Sequence, residues 1–251
     1  MTGLVLLAVA TSASADDVDR NRAPIDDWSL SIAPYAWAAG MKGTVAGLPG
    51  LRPVGVDASF QDLLENLDIG IMVSTELRYH RWAAFSDILY INLSADADTP
   101  AGILFDHVDV DQETFIGTFA GAYRAFDDGG TFIDVMAGVR VWSVDTRLAL
   151  DGGLLADQER EHNENWLDPM IGAKARYQFE NGIFLNGVVQ IGGFGAASDF
   201  FWDVFSGVGY QFNDSISAVG GYRHLEEDYE HNGFVFDVEM SGPVLGAVIR
   251  F

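Results

Sequence analysis

Nine ionisable residues recur at strand-like spacing inside otherwise apolar stretches: Glu76, Arg78, Asp134, Arg140, Asp168, Lys174, Arg176, Asp203 and Arg223. Both signs of charge are present. Residues two apart on an extended chain share one face. If that face lines a narrow interior of low dielectric, unpaired charges are costly, so these nine lumen-lining polar positions are expected to pair across strands. The chemistry open to them is structural ion pairing, or a polar path for small solutes through a narrow lumen.

A second set of candidates is acidic. Asp106, Asp109, Asp111 and Glu113 form one group, Asp157, Glu159, Glu161 and Glu164 another, and Glu226, Glu227, Asp228 and Glu230 a third. Carboxylate oxygens suit Ca²⁺ or Mg²⁺. The ordered D-x-D-x-D-G loop with a distal Glu is missing, so a solvated acidic surface is expected, with no specific metal site and no cofactor. Divalent cations could still bridge these acids to anionic lipid headgroups. Catalysis needs a base beside a nucleophile, or carboxylates clustered with histidine. The five histidines are His80, His107, His162, His224 and His231. His224 and His231 lie near Glu226, Glu227 and Asp228, but Ser206 and Ser217 have no His beside them in sequence. No glycine-rich phosphate loop is present. The chain is therefore not read as an enzyme, and a membrane-embedded hydrolase is the weakest of the alternatives.

The elements that must position these residues follow from composition and pattern. With 49% hydrophobic residues, 12% aromatics and 28 glycines, the chain is too apolar to be disordered. A net charge of −23 opposes nucleic-acid binding, which needs Lys and Arg against phosphate. The absence of cysteine removes disulfides and thiolate metal sites. No apolar run approaches the ~18–20 residues of a membrane-spanning helix. Instead, segments rich in β-branched, aromatic and glycine residues alternate with turn signals. Strands are expected near 28–40, 69–80, 82–95, 108–126, 131–149, 165–179, 183–194, 199–212, 216–229 and 234–251.

The period of two is plain within them. Leu167, Ile171, Ala173, Ala175, Tyr177 and Phe179 share one face of 165–179, while Trp166, Asp168, Lys174, Arg176 and Gln178 share the other. Ile71, Val73, Leu77 and Tyr79 oppose Ser74, Glu76, Arg78 and His80. A soluble sandwich alternates too. A barrel is favoured by strands longer than the ~5–6 residues usual in soluble sheets. It is also favoured by aromatics gathered near strand ends, among them Trp28, Tyr79, Trp82, Tyr123, Phe126, Tyr177, Phe179, Tyr210 and Phe212. Every second connection is compact, the asymmetry of short periplasmic turns and longer outer loops. The expected fold is an all-β, closed, antiparallel transmembrane barrel of about ten strands, with eight as the alternative. Phe251 then faces lipid with Ala247, Leu245 and Pro243, and Arg250 points inward. Segment 82–95 is less clean, since Asp87 shares a face with Phe85, Leu89 and Ile91. Either a bulge or a partly apolar lumen would explain this. Pro34 and Pro169 cannot donate ladder bonds and are expected at bulges or a rim.

Two further segments carry signals. Residues 4–10 are apolar, Ala13-Ser14-Ala15 forms an A-x-A cleavage site, and Asp16-Asp17 follows. The expected organisation is a signal peptide over 1–15, a periplasmic leader over 16–27 and the barrel over 28–251. No Lys or Arg precedes the apolar run, which leaves the true start codon open. Phe60, Leu63, Leu64 and Leu67 have helical spacing. They predict either a short amphipathic helix that caps or plugs the barrel mouth, or a loop packed on its rim.

Several pieces together resemble a widespread group of proteobacterial outer-membrane β-barrel proteins, small porin-like barrels. They are Ala33-Pro34-Tyr35-Ala36-Trp37, residues 60–68 (FQDLLENLD), Gly220-Gly221-Tyr222-Arg223 and Met240-Ser241-Gly242-Pro243. The resemblance covers nearly all of the expected mature chain, 16–251. It implies the fold and the outer membrane and assigns no catalytic residue. The terminal Phe251 resembles the signal read by the barrel assembly machinery. The expected partners are that machinery and outer-membrane lipid, including lipopolysaccharide. The expected function is an integral outer-membrane component, structural or a narrow conduit for small solutes, with surface binding or adhesion through acidic loops as the alternative.

Overall fold

A computed structural model describes residues 28–46, 52–98, 107–151 and 158–251. The segments read as signal peptide and leader lie outside the described residues. In chain order the elements are β1 (Trp28–Trp37), β2 (Gly40–Ala46), β3 (Val54–Ala58), α1 (Phe60–Glu65), β4 (Leu67–Tyr79), β5 (Trp82–Asp98), β6 (His107–Asp128), β7 (Thr131–Asp151), β8 (Gln158–Gln178), β9 (Ile183–Gly192), β10 (Phe200–Gln211), β11 (Ile216–His231) and β12 (Phe234–Arg250). β1 and β4 to β12 form a closed wall of ten antiparallel strands, sealed where β1 pairs with β12 from Ser31↔Arg250 to Trp37↔Val244. Closure leaves no long open edge in lipid, where each unpaired backbone group costs several kcal/mol.

Side chains alternate across this wall as the sequence pattern requires. Ile71, Val135, Leu167, Ile171 and Leu245 are exposed on the outer surface, while Met136, Arg140, Asp168 and Met170 are buried within. Near the short turns the aromatics meet in tilted pairs, Trp28 with Tyr79 at 4.6 Å and Trp82 with Tyr123 at 4.9 Å between ring centroids. Two of the hairpins turn on paired left-handed residues, Gly129-Gly130 (φ 57° and 89°) and Asn232-Gly233 (φ 48° and 85°). Positive φ at both turn positions is the type I′ geometry, whose twist matches that of the flanking strands.

β5 runs in register with both neighbours through Asp87. Ala83, Asp87 and Leu89 are all buried inward, so the lumen beside β5 is partly apolar and no bulge is needed. Pro34 falls in a gap of the β1–β12 ladder, between Ile32↔Ile249 and Tyr35↔Gly246. Pro169 lies just past the last β8–β9 partner pair, Met170↔Gly192.

The first loop differs from expectation. The residues read as one strand over 28–40 and a long loop over 41–68 contain two accessory strands. β1 breaks at Ala38-Ala39, and the chain continues as β2 along the far half of β12 (Met41↔Met240), with β3 returning on β2. Gly242 permits the break, because a Cβ there would lie 2.0 Å from the Ala38 carbonyl oxygen. The helix does form as α1. Ser59 and Asp62 make a capping box, with Asp62 Oδ2 accepting from the Ser59 amide at 2.8 Å and Ser59 Oγ accepting from the Asp62 amide at 3.3 Å. Hydrogen bonds from the Ser59 hydroxyl and amide hold the Asp62 carboxyl below the usual range. α1 packs on β2 and β3 and does not plug the lumen: Phe60, Leu64 and Leu67 are exposed, Leu63 is only half-buried, and no helix residue is buried. The interior beside β2 is already filled by aromatic side chains.

Strand lengths are uneven. β6, β7 and β8 have 22, 21 and 21 residues, whereas β9 and β10 have 10 and 12. At ~3.3 Å per residue the long strands reach roughly 70 Å. A hydrocarbon core is ~30 Å thick, so even tilted they carry a β extension clear of the membrane on the loop side.

Candidate functional site

The interior is stacked in layers along the barrel axis. The middle layer is a buried ion-pair network. Arg223 is bidentate to Asp203, with Nε donating to Oδ1 at 3.0 Å and Nη2 to Oδ2 at 2.7 Å. The same Nη2 reaches Asp87 Oδ2 at 3.0 Å, and Nη1 donates to the Tyr35 hydroxyl at 2.8 Å. Tyr35 in turn donates to Asp87 at 3.0 Å. Arg140, fully buried, donates to Asp203 at 2.7 Å, to Gln190 at 2.5 Å and to Thr118 at 3.0 Å. Two guanidiniums thus face two carboxylates. Strands β1, β5, β6, β7, β9, β10 and β11 are tied across the lumen by one network.

Above it, toward the loop side, lies a second polar cluster roofed by aromatics. Ser198 donates to Asp168 from its amide at 2.9 Å and bonds Asp168 Oδ2 through its hydroxyl at 2.5 Å. The same hydroxyl contacts Glu227, whose Oε1 also accepts from the Trp166 indole at 3.1 Å. A hydroxyl carries one proton, so it can donate to only one of its two carboxyl neighbours. Trp166 is sandwiched between Trp142 at 5.4 Å and Tyr229 at 4.1 Å, both nearly parallel, and Phe236 meets Trp142 edge-on at 5.5 Å. Trp37, Leu89, Ile116, Leu225, Phe234 and Val238 complete the roof.

Below the middle layer, toward the short turns, the lumen opens. A cavity of about 190 Å³ lies under Asp203 and Arg223, and a vestibule of about 680 Å³ follows it to the turn-side mouth. Ser31, Glu76, Lys174 and Asn186 line both, so the two are continuous. The boundary carries a second ion-pair network: Glu76 accepts from Lys174 at 2.6 Å and from Arg78 at 2.9 Å, and Asp134 accepts from Arg78 at 2.6 Å and from Arg124 at 2.9 Å. Arg176 lies lower still, over the Phe184 ring at 3.6 Å, donating to the amide oxygens of Gln178 at 2.5 Å and Gln211 at 2.9 Å.

The nine ionisable positions of the sequence pattern therefore sort by depth: Asp168 above, Arg140, Asp203 and Arg223 in the middle, and Glu76, Arg78, Asp134, Lys174 and Arg176 below. Other inward residues were not singled out by that pattern. Arg124 and Tyr35 stand on the same faces, and the apolar neighbours of Asp87 mask its direction in the sequence. Glu227 belongs to an acidic group expected to be solvated, yet it is fully buried while Glu226 and Asp228 are exposed. The alternation held the clue, since Glu227 is four residues from inward Arg223 and shares its face. Among the acids of the loop-side extension, the exposed Glu159 and Glu161 both pair with Arg147, Glu159 at 3.3 Å, and Glu164 accepts from Tyr229 at 2.6 Å. His224 lies 3.6 Å from Glu239 and 3.9 Å from Glu226, and His162 bonds Glu164 at 3.1 Å. No serine hydroxyl meets a histidine in any of these contacts.

Close backbone approach sets one further requirement. A Cβ on Gly209 would lie 2.1 Å from the Phe184 ring that carries Arg176. Gly209→Ala is expected to cost about 1–3 kcal/mol by overpacking. A lowered urea midpoint for the detergent-folded protein is the readout, and an unchanged midpoint would show that the ring shifts freely.

No protein-family model matches the sequence, and no curated protein does. Solved structures do resemble the fold. The outer membrane protease OmpT from Escherichia coli superposes with a TM-score of 0.51 at 11% identity, covering 90% of this chain and 97% of that one. The fold is an outer-membrane β-barrel. Ail, the attachment invasion locus protein of Yersinia pestis, gives a TM-score of 0.39 at 11% identity over 90% of this chain and 100% of that one. The transport unit of the autotransporter AIDA-I from Escherichia coli gives 0.41 at 10% identity over 94% and 93%.

Proposed function

We propose that this outer-membrane barrel is a sealed, structural component of the membrane, closed toward the loop side and open only to a vestibule on the turn side. The observation that supports this most directly is complete burial across the lumen at two successive levels, Arg140 and Phe201 in one and Trp142 and Glu227 in the next. Barrels of ~8 strands are filled by side chains and those of ~16 leave a channel, so ten strands belong near the filled end. Short turns on the vestibule side support a periplasmic opening. The partners that suit such a barrel are outer-membrane lipid with lipopolysaccharide around the wall, and the barrel assembly machinery acting on Phe251, which is 70% exposed on the outer surface. Export by the N-terminal segment belongs to the same reading.

Planar-bilayer recording tests it. The folded protein is expected to insert without stepwise conductance in molar salt. Uniform, repeated single-channel steps from the unmutated chain would instead establish a conduit for small solutes and end the structural reading.

A further inference from the structure

We propose that the turn-side vestibule is a binding site for a small oxyanion, a phosphate- or carboxylate-bearing solute of the periplasm. The chain carries 14 Lys and Arg in all, against 37 acids. Five of those cations line this one cavity: Arg78, Arg124, Lys174, Arg176 and Arg250. Three of them are matched, because Arg78, Arg124 and Lys174 share the carboxylates of Glu76, Asp134 and Asp127. Arg176 and Arg250 are not. Among the described residues neither forms an ion pair, although Glu180 and Asp214 stand in the same lining. Arg176 bonds only neutral amide oxygens, and its guanidinium carbon lies 3.6 Å over the centre of the Phe184 ring.

A second observation is independent of that charge balance. Arg78 is more than nine-tenths buried in the vestibule wall, yet its Nη1 has no hydrogen-bond partner among the described residues. A buried guanidinium N–H without an acceptor is unusual in a folded protein. An oxyanion supplies what both observations lack, a multivalent acceptor of negative charge, and guanidinium geometry favours carboxylate and phosphate over a spherical halide. The cavity of about 680 Å³ is of the size of small-molecule sites, and Phe132, Phe179 and Phe184 give it an apolar floor. Its walls lie on paired strands, so the cations are already placed before a ligand arrives. The site needs no passage through the barrel, and it stands or falls apart from the sealing of the lumen.

The test is isothermal titration of the folded protein in a nonionic detergent with inorganic phosphate and, separately, citrate, each at matched ionic strength set with sodium chloride. Saturable binding of either anion is expected. Preference for phosphate assigns a phosphoryl ligand, preference for citrate a carboxylate one, and equal affinity a general oxyanion site. Arg176→Gln and Arg250→Gln should each weaken binding about tenfold or more, the loss of one charge-assisted hydrogen bond. Arg147→Gln, on the loop-side extension, should leave it unchanged. Heat-modifiable migration on gels confirms that each variant is folded. The proposal is overturned by no saturable binding of either anion, by equal competition from chloride, or by unchanged affinity in both vestibule variants.

Discussion

Arg223→Met is expected to lower stability by about 3–5 kcal/mol, the cost of removing one partner from a buried ion pair. Two carboxylates depend on this guanidinium. Asp203 loses both arms of a bidentate contact, and Asp87 loses its Nη2 donor at 3.0 Å. Arg140 still reaches Asp203, but the Tyr35 hydroxyl is then the donor left to Asp87. Methionine roughly fills the volume, so the effect reports charge more than a cavity. Urea unfolding in detergent, followed by tryptophan fluorescence, gives the midpoint. Adding Asp87→Asn to Arg223→Met should recover part of the loss, because the stranded charge is then removed. A single-variant change under about 1 kcal/mol, the range of an exposed pair, would show that water reaches this layer and that the middle of the lumen is not sealed.

Trp166→Ala should be nearly as damaging, at about 3–5 kcal/mol for a buried aromatic truncated to a methyl. The indole is stacked on both faces, by Trp142 and Tyr229, and its N–H donates to Glu227. Removing it opens a void in the roof and withdraws a donor from a fully buried carboxyl. Near-UV circular dichroism offers a second readout, since the signal of closely stacked indoles must fall. The Arg140–Asp203 layer lies beneath the roof, so the variant is still expected to show no channel steps. An unchanged midpoint together with an unchanged near-UV spectrum would mean that these rings do not pack as described.

Much of the architecture was legible in the linear chain because a barrel wall obeys a local rule. Alternate side chains must face lipid, so Ile71, Leu167 and Tyr177 declare the outer face, and Arg78, Asp134, Asp168 and Arg223 the inner one. Paired Gly129-Gly130 and Asn232-Gly233 mark hairpins through their own backbone preferences. The spacing of Phe60, Leu63, Leu64 and Leu67 offered a helix for the same local reason, with a loop packed on the rim as its alternative. Where that helix docks is not a local property, and α1 settled on β2 and β3 because the lumen beside them was already occupied.

Composition and period by themselves pointed to a closed antiparallel wall of about ten strands, with eight as the alternative, and to an alternation of outward and inward faces along each strand. The tertiary structure alone decided what meets across the lumen. Asp87 with Arg223 spans 136 positions of sequence and Lys174 with Glu76 spans 98. Alternation gives a side chain its direction but no height, and height follows from strand stagger and from the break at Ala38-Ala39. For that reason Glu227 meets the aromatic roof while Arg223 on the same face meets Asp203, and Arg176 and Arg250 reach the mouth without an ion pair among the described residues.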